Sequence, residues 1–296
     1  MIRKKILIAG SNGFIGSFLL RSLKENFKLV SLSLSKSSKE KMSFNVDLSK
    51  INNIESIVDK LPHCDILIFL VGLAHKKGKG KEIKIFRKIN KNTLINLLQT
   101  LENSKKTPEK IIFASTISVY GEKFDQSTYE ESLKEHPISP YAITKHEAEN
   151  FLLKKYKKKS WILRFAPVYS EKFKLNIKRR TSVLGQYYRV GSGENKLSLC
   201  NLKNIDLALQ AIMRGEVPCG IYNISDKKDY SYNDLLEYVD AKNIRIVPTI
   251  FIKIIHFIGS IFKNIFLIEN TVKLMSSNIF PSNKIRKFIK FPNLLN

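Results

Sequence analysis

Acidic residues are scarce in this sequence, with 26 Asp and Glu against 51 Lys and Arg and a formal net charge of +25. An excess of this size suits nucleic acid, an anionic membrane surface or an anionic substrate. The lysines, however, are spread along the whole chain, with local runs at 76–81 and 154–159. No zinc finger, RNP-like sequence or helix-turn-helix stands out. We therefore interpret the charge as a general lysine bias and expect no nucleic-acid partner.

Cysteine is also rare. Cys64, Cys200 and Cys219 are far apart and form no CxxC or metal-like spacing. This spacing argues against a disulfide framework and predicts no metal site, and such reduced thiols are typical of a cytoplasmic protein. The first apolar run, Ile6 to Ala9, is too short for a signal peptide and leads into a glycine turn.

Long uninterrupted apolar runs are missing too. The most apolar segment, Ile250 to Ile268, carries Lys253, His256 and Lys263, whereas a membrane-spanning helix needs about 20 predominantly apolar residues. We therefore expect no stable membrane insertion. A helix packed on the substrate domain is preferred here over an interfacial membrane helix.

Short apolar runs do alternate with longer amphipathic stretches, a pattern typical of parallel strands joined by crossover helices. Residues 66–70 are continuously apolar, as in a central strand that is buried on both faces. We predict an α/β fold, a Rossmann-like doubly wound parallel sheet. Its strands are expected at 5–9, 29–34, 66–70, 111–114 and 161–165, and its helices at 14–26, 54–61, 83–101 and 140–156.

Three glycines follow the first predicted strand with the spacing GxxGxxG and open an amphipathic helix. This context predicts a dinucleotide site, with the pyrophosphate against the backbone N–H groups of the helix N-terminus. Glycine is needed where a side chain would collide with the ligand or the sheet. The expected cofactor contacts here are Gly10, Asn12, Gly13, Phe14, Ile15 and Gly16.

The end of the second predicted strand lacks the acidic residue that normally holds the adenosine ribose in an NAD enzyme. Residues 30–39 contain serines, among them Ser33, together with Lys36 and Lys39. These side chains suit a 2′-phosphate. The predicted cofactor is therefore NADP or NAD, with NADP preferred.

Tyr141 and Lys145 lie four residues apart, so they share one helix face. The pKa of a free tyrosine is near 10, and a neighbouring ammonium favours the phenolate. Tyr141 is therefore predicted to exchange a proton with a substrate hydroxyl as hydride moves to or from the same carbon. Upstream, Ser115, Thr116 and Ser118 offer hydroxyls at a predicted strand end.

Together these motifs resemble the extended short-chain dehydrogenase/reductase family, specifically its nucleotide-sugar epimerases and reductases, from about Lys4 to Asn223. The resemblance implies an NAD(P)-binding domain over 1–166 with late elements from about 199–225. It also implies a smaller, interleaved C-terminal substrate domain of 167–198 and 226–296, and a homodimer.

The same resemblance gives roles to single residues. It implies that Thr116 hydrogen-bonds the reacting oxygen, with Ser115 or Ser118 as helpers, and that Lys145 holds the nicotinamide ribose. The further cofactor contacts that it implies are Asp47, Leu48, Val71, Gly72, Asn90, Ser115 and Tyr141.

The residues after Thr116 narrow the choice of reaction. The family's 4,6-dehydratases carry Asp-Glu there, whereas this chain has Ile117-Ser118. A dehydratase is therefore not expected. The resemblance leaves 4-epimerisation of a nucleotide sugar, with UDP as the expected nucleotide, or reduction of a 4-keto sugar, in cell-surface polysaccharide synthesis.

Substrate contacts are predicted from basic and amide side chains in the second half of the chain, since guanidinium groups pair well with phosphate oxygens. The candidates are Ser118, Asn176, Arg180, Arg189 and Lys196. Two other functions stay open at this point: a catalytically silent dinucleotide-binding protein, and a basic protein that binds nucleic acid or membrane surfaces.

Overall fold

A central sheet carries the N-terminal half of the protein. The structure is a computed structural model that describes residues 3–35, 42–73, 82–121 and 123–295. The sheet is parallel and has seven strands in the order β12-β6-β5-β4-β1-β2-β3. Its strands are β1 (Lys5–Ala9), β2 (Lys28–Ser33), β3 (Ser43–Asn45), β4 (Ile66–Phe69), β5 (Lys110–Thr116), β6 (Ser160–Phe165) and β12 (Gly220–Ile224).

The helices that flank this sheet follow the predicted pattern. They are α1 (Phe14–Leu23), α2 (Ile51–Val58), α3 (Ile83–Arg87), a π-helical turn (Lys88–Asn92), α4 (Thr93–Asn103), α5 (Pro140–Lys155) and α7 (Leu202–Arg214). The strand order reverses between β1 and β4, where Ile6 pairs with Ile66 and Ala9 with Phe69. In doubly wound sheets, ligands bind outside the carboxyl ends of the strands at such a point. The predicted fold class is confirmed.

Contacts divide the described chain into two compact units. The first contains residues 1–115, 140–163 and 212–221, and the second contains 116–139, 164–211 and 222–296. The expected boundary at 166 differs from this division chiefly in residues 116–139. These group with the second unit because Tyr120 and Tyr129 pack against Phe280 at ring distances of 5.8 and 5.0 Å, and the Tyr120 hydroxyl donates to Asn223.

The second unit is built from small sheets and short helices around its own core of Tyr169, Ile177, Leu197, Leu199, Tyr230, Tyr232 and Leu235. Its strands are β7 (Val168–Tyr169), β8 (Ser182–Val183), β9 (Gln186–Val190), β10 (Lys196–Leu197), β11 (Cys200–Asn201), β13 (Tyr230–Ser231) and β14 (Arg245–Val247). The remaining helices are α6 (Leu175–Thr181), α8 (Tyr232–Tyr238), α9 (Thr249–Ile261) and α10 (Ile265–Met275).

The apolar segment at 250–268 forms α9 and the start of α10. Helix α9 packs on α10 of the same unit, but only Ile252 and Gly259 of this helix are buried. Most of its apolar side chains are therefore exposed, which the expectation of a helix packed on the substrate domain did not include. Within the described part of the chain, no helix is long and apolar enough to span a bilayer.

Candidate active site

The glycine turn lies at the carboxyl end of β1. Gly10 has φ = +85°, and a Cβ at this position would come within 3.0 Å of the Val71 nitrogen. A Cβ on Gly16 would collide with the Gly10 carbonyl oxygen, so close packing of α1 on the turn requires glycine. Gly13 precedes α1 and makes no side-chain cap hydrogen bond. The predicted contacts Phe14 and Ile15 are the first two residues of this helix, and a helix N-terminus is where a phosphate binds. This arrangement fits a dinucleotide pyrophosphate.

Asn12 joins this turn to the end of β2. Its amide nitrogen donates to the Ser35 carbonyl oxygen at 2.6 Å and to the Ser35 hydroxyl at 3.2 Å. The predicted contact Ser33 donates its hydroxyl to the same carbonyl at 2.8 Å. Lys36, the other predicted 2′-phosphate contact, lies outside the described residues, so the preference for NADP stays a prediction.

The turn after β3 contains two of the predicted cofactor contacts, Asp47 and Leu48. The Asp47 carboxylate accepts hydrogen bonds from the Ser49 hydroxyl at 2.7 Å and the Ser49 backbone nitrogen at 2.9 Å. The bond from the Ser49 hydroxyl is the main reason that the pKa of Asp47 lies below its usual value. The Leu48 carbonyl accepts from Asn96 on α4 at 3.1 Å. These hydrogen bonds define the conformation of the loop, and its contact with a cofactor stays a prediction.

The Lys145 ammonium is buried at the carboxyl ends of β4 and β5. Its side chain is on α5, one turn after the half-buried Tyr141. Nζ donates to the Ala114 carbonyl at 2.8 Å and to the Val71 carbonyl at 3.1 Å, and it lies 4.7 Å from the centre of the Phe113 ring. Burial lowers the pKa of Lys145 to about 7, and the nearby carboxylate of Glu149 opposes this shift.

Gly72 and Asn90 support this ammonium. A Cβ on Gly72 would lie 3.1 Å from Lys145 Nζ, so the absence of a side chain leaves room for it. The fully buried Asn90 accepts from the Leu73 nitrogen at 2.6 Å and donates to the Thr144 hydroxyl at 3.0 Å. Asn90 lies in the π-helical turn, a conformation found frequently at functional sites. It thereby connects the segment after β4 to the helix that carries Lys145.

Glu149 was missed by the sequence analysis. This buried carboxylate accepts a hydrogen bond from the Ser115 hydroxyl. Ser115 is also a predicted cofactor contact, and this contact stays a prediction. The four-residue spacing from Lys145 to Glu149 was the signal that could have found it, since residues at this spacing share a helix face.

Two of the predicted hydroxyl residues, Thr116 and Ser118, belong to the second unit. Thr116 is the last residue of β5, and its Oγ1 accepts from the Ser118 nitrogen at 3.2 Å, which caps the 3₁₀ turn Ile117–Tyr120. Gly121 ends this turn with φ = +65°, and a Cβ there would collide with the His136 carbonyl oxygen. Thr116 is thus held in a fixed conformation.

The predicted substrate residues are also in the second unit. Asn176 donates to the Val168 carbonyl at 2.8 Å, and Arg180, one turn later, donates to the Asn176 carbonyl at 2.8 Å. Arg189 donates to Asn233 at 3.0 Å. Its buried Nε has no hydrogen-bond partner among the described residues. Lys196 is exposed on β10.

A small cavity collects several of these groups. Arg180 and Ile117, which directly follows Thr116, line it together with Ser198, Tyr232 and Lys273. Two cations therefore border one small cavity, and such groups pair with phosphate oxygens. Lys273, on α10, was not predicted, and no local pattern in the sequence marks it.

The motifs and the sheet define a dinucleotide-dependent enzyme of Rossmann type. The model of the NAD dependent epimerase/dehydratase family matches residues 6–206, more than half of the chain. The chain belongs to this family, as the sequence resemblance predicted. The family accounts for the predicted cofactor class, NAD or NADP.

Relatives and solved structures agree with this assignment. The chain is 23% identical over 256 residues to the N-acetyl-α-D-glucosaminyl-diphospho-ditrans,octacis-undecaprenol 4-epimerase of Escherichia coli O157:H7, covering 82% of this chain and 74% of that protein. The UDP-Glc/GlcNAc 4-epimerase structure from Campylobacter jejuni superposes with a TM-score of 0.75 at 20% identity, over 98% and 94% of the two chains. The dTDP-4-dehydrorhamnose reductase from Bacillus anthracis, solved with NADP, gives 0.71 at 18% identity over 99% and 96%. At these identities the structures establish the fold alone.

Proposed function

We propose that this protein is an NAD(P)-dependent enzyme that transfers hydride at C4 of a nucleotide sugar, with 4-epimerisation as the first candidate reaction. The observation that carries the proposal is the buried Lys145 ammonium, fixed by the Val71 and Ala114 carbonyls one helical turn from Tyr141. A cation held at this position favours the ionised form of the tyrosine that has to exchange the proton.

The proposed chemistry assigns one task to each side chain. A bound nicotinamide would supply the hydride acceptor and donor for C4. Tyr141 takes the proton from the C4 hydroxyl as the C4–H bond breaks, and gives it back when the carbonyl is reduced from the opposite face. Thr116 donates a hydrogen bond to the same oxygen. Acid–base help of this kind is typically worth about 10² to 10⁴ in rate.

The diphosphate of the substrate is assigned to the cavity bordered by Arg180 and Lys273. The other predicted substrate contacts, Ser118, Asn176, Arg189 and Lys196, are assigned to the rest of the nucleotide sugar. UDP is the proposed nucleotide, in cell-surface polysaccharide synthesis. Because the E. coli relative is named for a sugar diphospho-undecaprenol, the same sugar diphosphate on a polyprenol is the second carrier to test.

Reduction of a 4-keto sugar is the second candidate reaction. It is favoured by the acid-free end of β2, with Ser33 in place of a ribose-binding carboxylate, because that pocket suits NADPH. The two candidate reactions can be distinguished by denaturing the purified protein and identifying any released dinucleotide by mass spectrometry. Stoichiometric NAD supports an epimerase that recycles its hydride, whereas an empty site that fills preferentially with NADPH supports a reductase.

Replacement of Tyr141 by Phe tests the proposal as a whole. The variant should lose turnover of UDP-sugars while it still binds the cofactor. Tyr156→Phe is the matched control, because Tyr156 follows the other end of α5 and donates to Glu102 at 3.0 Å; it should keep its turnover. Retained activity in Tyr141→Phe would contradict the proposal and revive the catalytically silent alternative.

The expected homodimer and cytoplasmic location also belong to this proposal. Light scattering of the purified protein checks the dimer, and fractionation of cells checks the location. Binding to duplex DNA that falls steeply with salt would instead favour the nucleic-acid alternative.

A further inference from the structure

Helix α9 turns an apolar face to solvent. Ile250, Ile254, Phe257, Ile258 and Ile261 follow the spacing of one helix face, and all of them are exposed. Phe257 is 66% exposed and Ile261 is 59% exposed. Large exposed apolar patches of this kind mark interaction sites in folded proteins. We call these five residues the α9 apolar face.

The opposite side of the helix is already used for packing. Ile252 and Gly259 are buried, and a Cβ on Gly259 would come within 2.8 Å of the Leu267 side chain on α10. His256 Nδ1 and the Thr271 hydroxyl, also on α10, lie 2.8 Å apart in a hydrogen bond. The helix is therefore fixed to its own unit, and the α9 apolar face is left over after this packing.

The chain segment that contains this face is strongly basic in sequence. Residues 241–296 contain nine Lys and Arg and a single acidic residue, Glu269, and there is none between Asp240 and Glu269. Lys253 lies within α9 and Lys263 directly after it, and both are exposed. At 100° per residue, Lys253 and Ser260 project beside the apolar face.

We infer that the α9 apolar face docks on the surface of a bilayer that contains anionic lipids, with the helix parallel to the membrane plane. Phe257, Ile254 and Ile261 enter the boundary between headgroups and acyl chains, and Lys253 and Lys263 reach the lipid phosphates. Helices that bind to the surface of anionic membranes combine an apolar face with neighbouring basic residues.

A second copy of this chain is the other occupant to consider. Two copies that met on this face would bring Lys253 and Lys263 close to the same cations of the partner, without acidic residues from 241–268 to offset them. An anionic lipid surface supplies the complementary charge that a second copy lacks. Charge complementarity therefore favours the membrane.

Flotation of the full-length protein with lipid vesicles tests the inference. The protein should float with vesicles of phosphatidylcholine mixed with phosphatidylglycerol, and much less with phosphatidylcholine alone. Phe257→Ser combined with Ile261→Ser should lower the partition by at least about tenfold, because it removes two side chains from the apolar boundary. Serine has a helix propensity close to that of isoleucine and phenylalanine, so the helix is retained.

The matched control is Ile51→Ser combined with Ile85→Ser, which removes exposed apolar side chains from the first unit and should leave the partition unchanged. Lys253→Glu with Lys263→Glu should lower binding to the anionic vesicles by about tenfold or more. The same change at the exposed Lys157 and Lys158 should have a smaller effect. Circular dichroism checks that each variant is folded.

Three outcomes would overturn the inference. The first is that the wild type does not float with anionic vesicles, and the second is that Phe257→Ser with Ile261→Ser floats as well as the wild type. The third is a wild type that does not bind vesicles but forms a dimer in light scattering, and a variant that is monomeric; this result would assign the face to a second copy.

Discussion

Gly72 lies directly against the ammonium of Lys145, with 3.1 Å between the position of an added Cβ and Nζ. The same position lies 3.7 Å from the Asn90 side-chain oxygen. The absence of a side chain at residue 72 therefore leaves room for the ammonium at this position.

Gly72→Ala should lower turnover by up to about tenfold, and Gly72→Val should lower it further, because the Lys145 side chain must move away from the added atoms. The measurement is kcat for each variant. In a Lys145→Met background the same changes should lower kcat by a much smaller factor, since the ammonium that they displace is then missing. Equal losses in both backgrounds would show that Gly72 acts through something else.

The buried ammonium should also make stability depend on pH. The pKa of Lys145 is about 7 in the folded protein, whereas an unperturbed lysine has a pKa of 10.5. Between these values the unfolded chain binds more protons, so the free energy of unfolding rises with pH. We expect the cofactor-free wild type to gain stability relative to Lys145→Met from about pH 7 to about pH 10.

Urea unfolding at a series of pH values measures this difference. The control is Lys60→Met, which removes an exposed lysine of the same unit and should follow the wild type at every pH. Parallel curves for the wild type and Lys145→Met would contradict the assigned pKa shift.

Glu149→Gln should shift the pH profile of turnover. Glu149 opposes the lowering of the Lys145 pKa, so its neutralisation lowers that pKa further and less ammonium remains at neutral pH. The alkaline limb of kcat against pH should move to lower pH, with about a tenfold loss on that limb for each unit of pKa. A Gln oxygen still accepts from Ser115, so the local packing is kept.

Glu147→Gln provides the comparison on the same helix. Its carboxylate pairs with Arg87 at 2.6 Å and with Lys91 at 3.2 Å, rather than with Lys145. This variant should leave the alkaline limb in place. If both variants moved the limb equally, general helix stability would be the cause.

Asn90→Ala should destabilise the fold. The side chain is fully buried and makes two hydrogen bonds, so its removal leaves the Leu73 nitrogen and the Thr144 hydroxyl without this partner. We expect a loss of about 1 to 3 kcal/mol in the free energy of unfolding. Denaturant titration checks this value, and Asn92→Ala, at an exposed position two residues later, should change it little.

Local patterns predicted the sheet well. The predicted strand at 5–9 agrees with β1, and the continuously apolar run at 66–70 became β4 at the centre of the sheet. Helix ends were less accurate. Helix α2 begins at Ile51, three residues before the predicted start, because Lys50 gives no side-chain signal for the cap.

The sequence by itself determined the doubly wound sheet, the glycine turn and the shared helix face of Tyr141 and Lys145, because periodicity and glycine spacing are local properties of the chain. Only the tertiary structure decided that Lys145 is buried between two carbonyls, that Ser115 bonds Glu149, and that the apolar face of α9 meets solvent. A pattern shows which residues share a face. What that face contacts depends on segments far away in the chain, and those come together only when it folds.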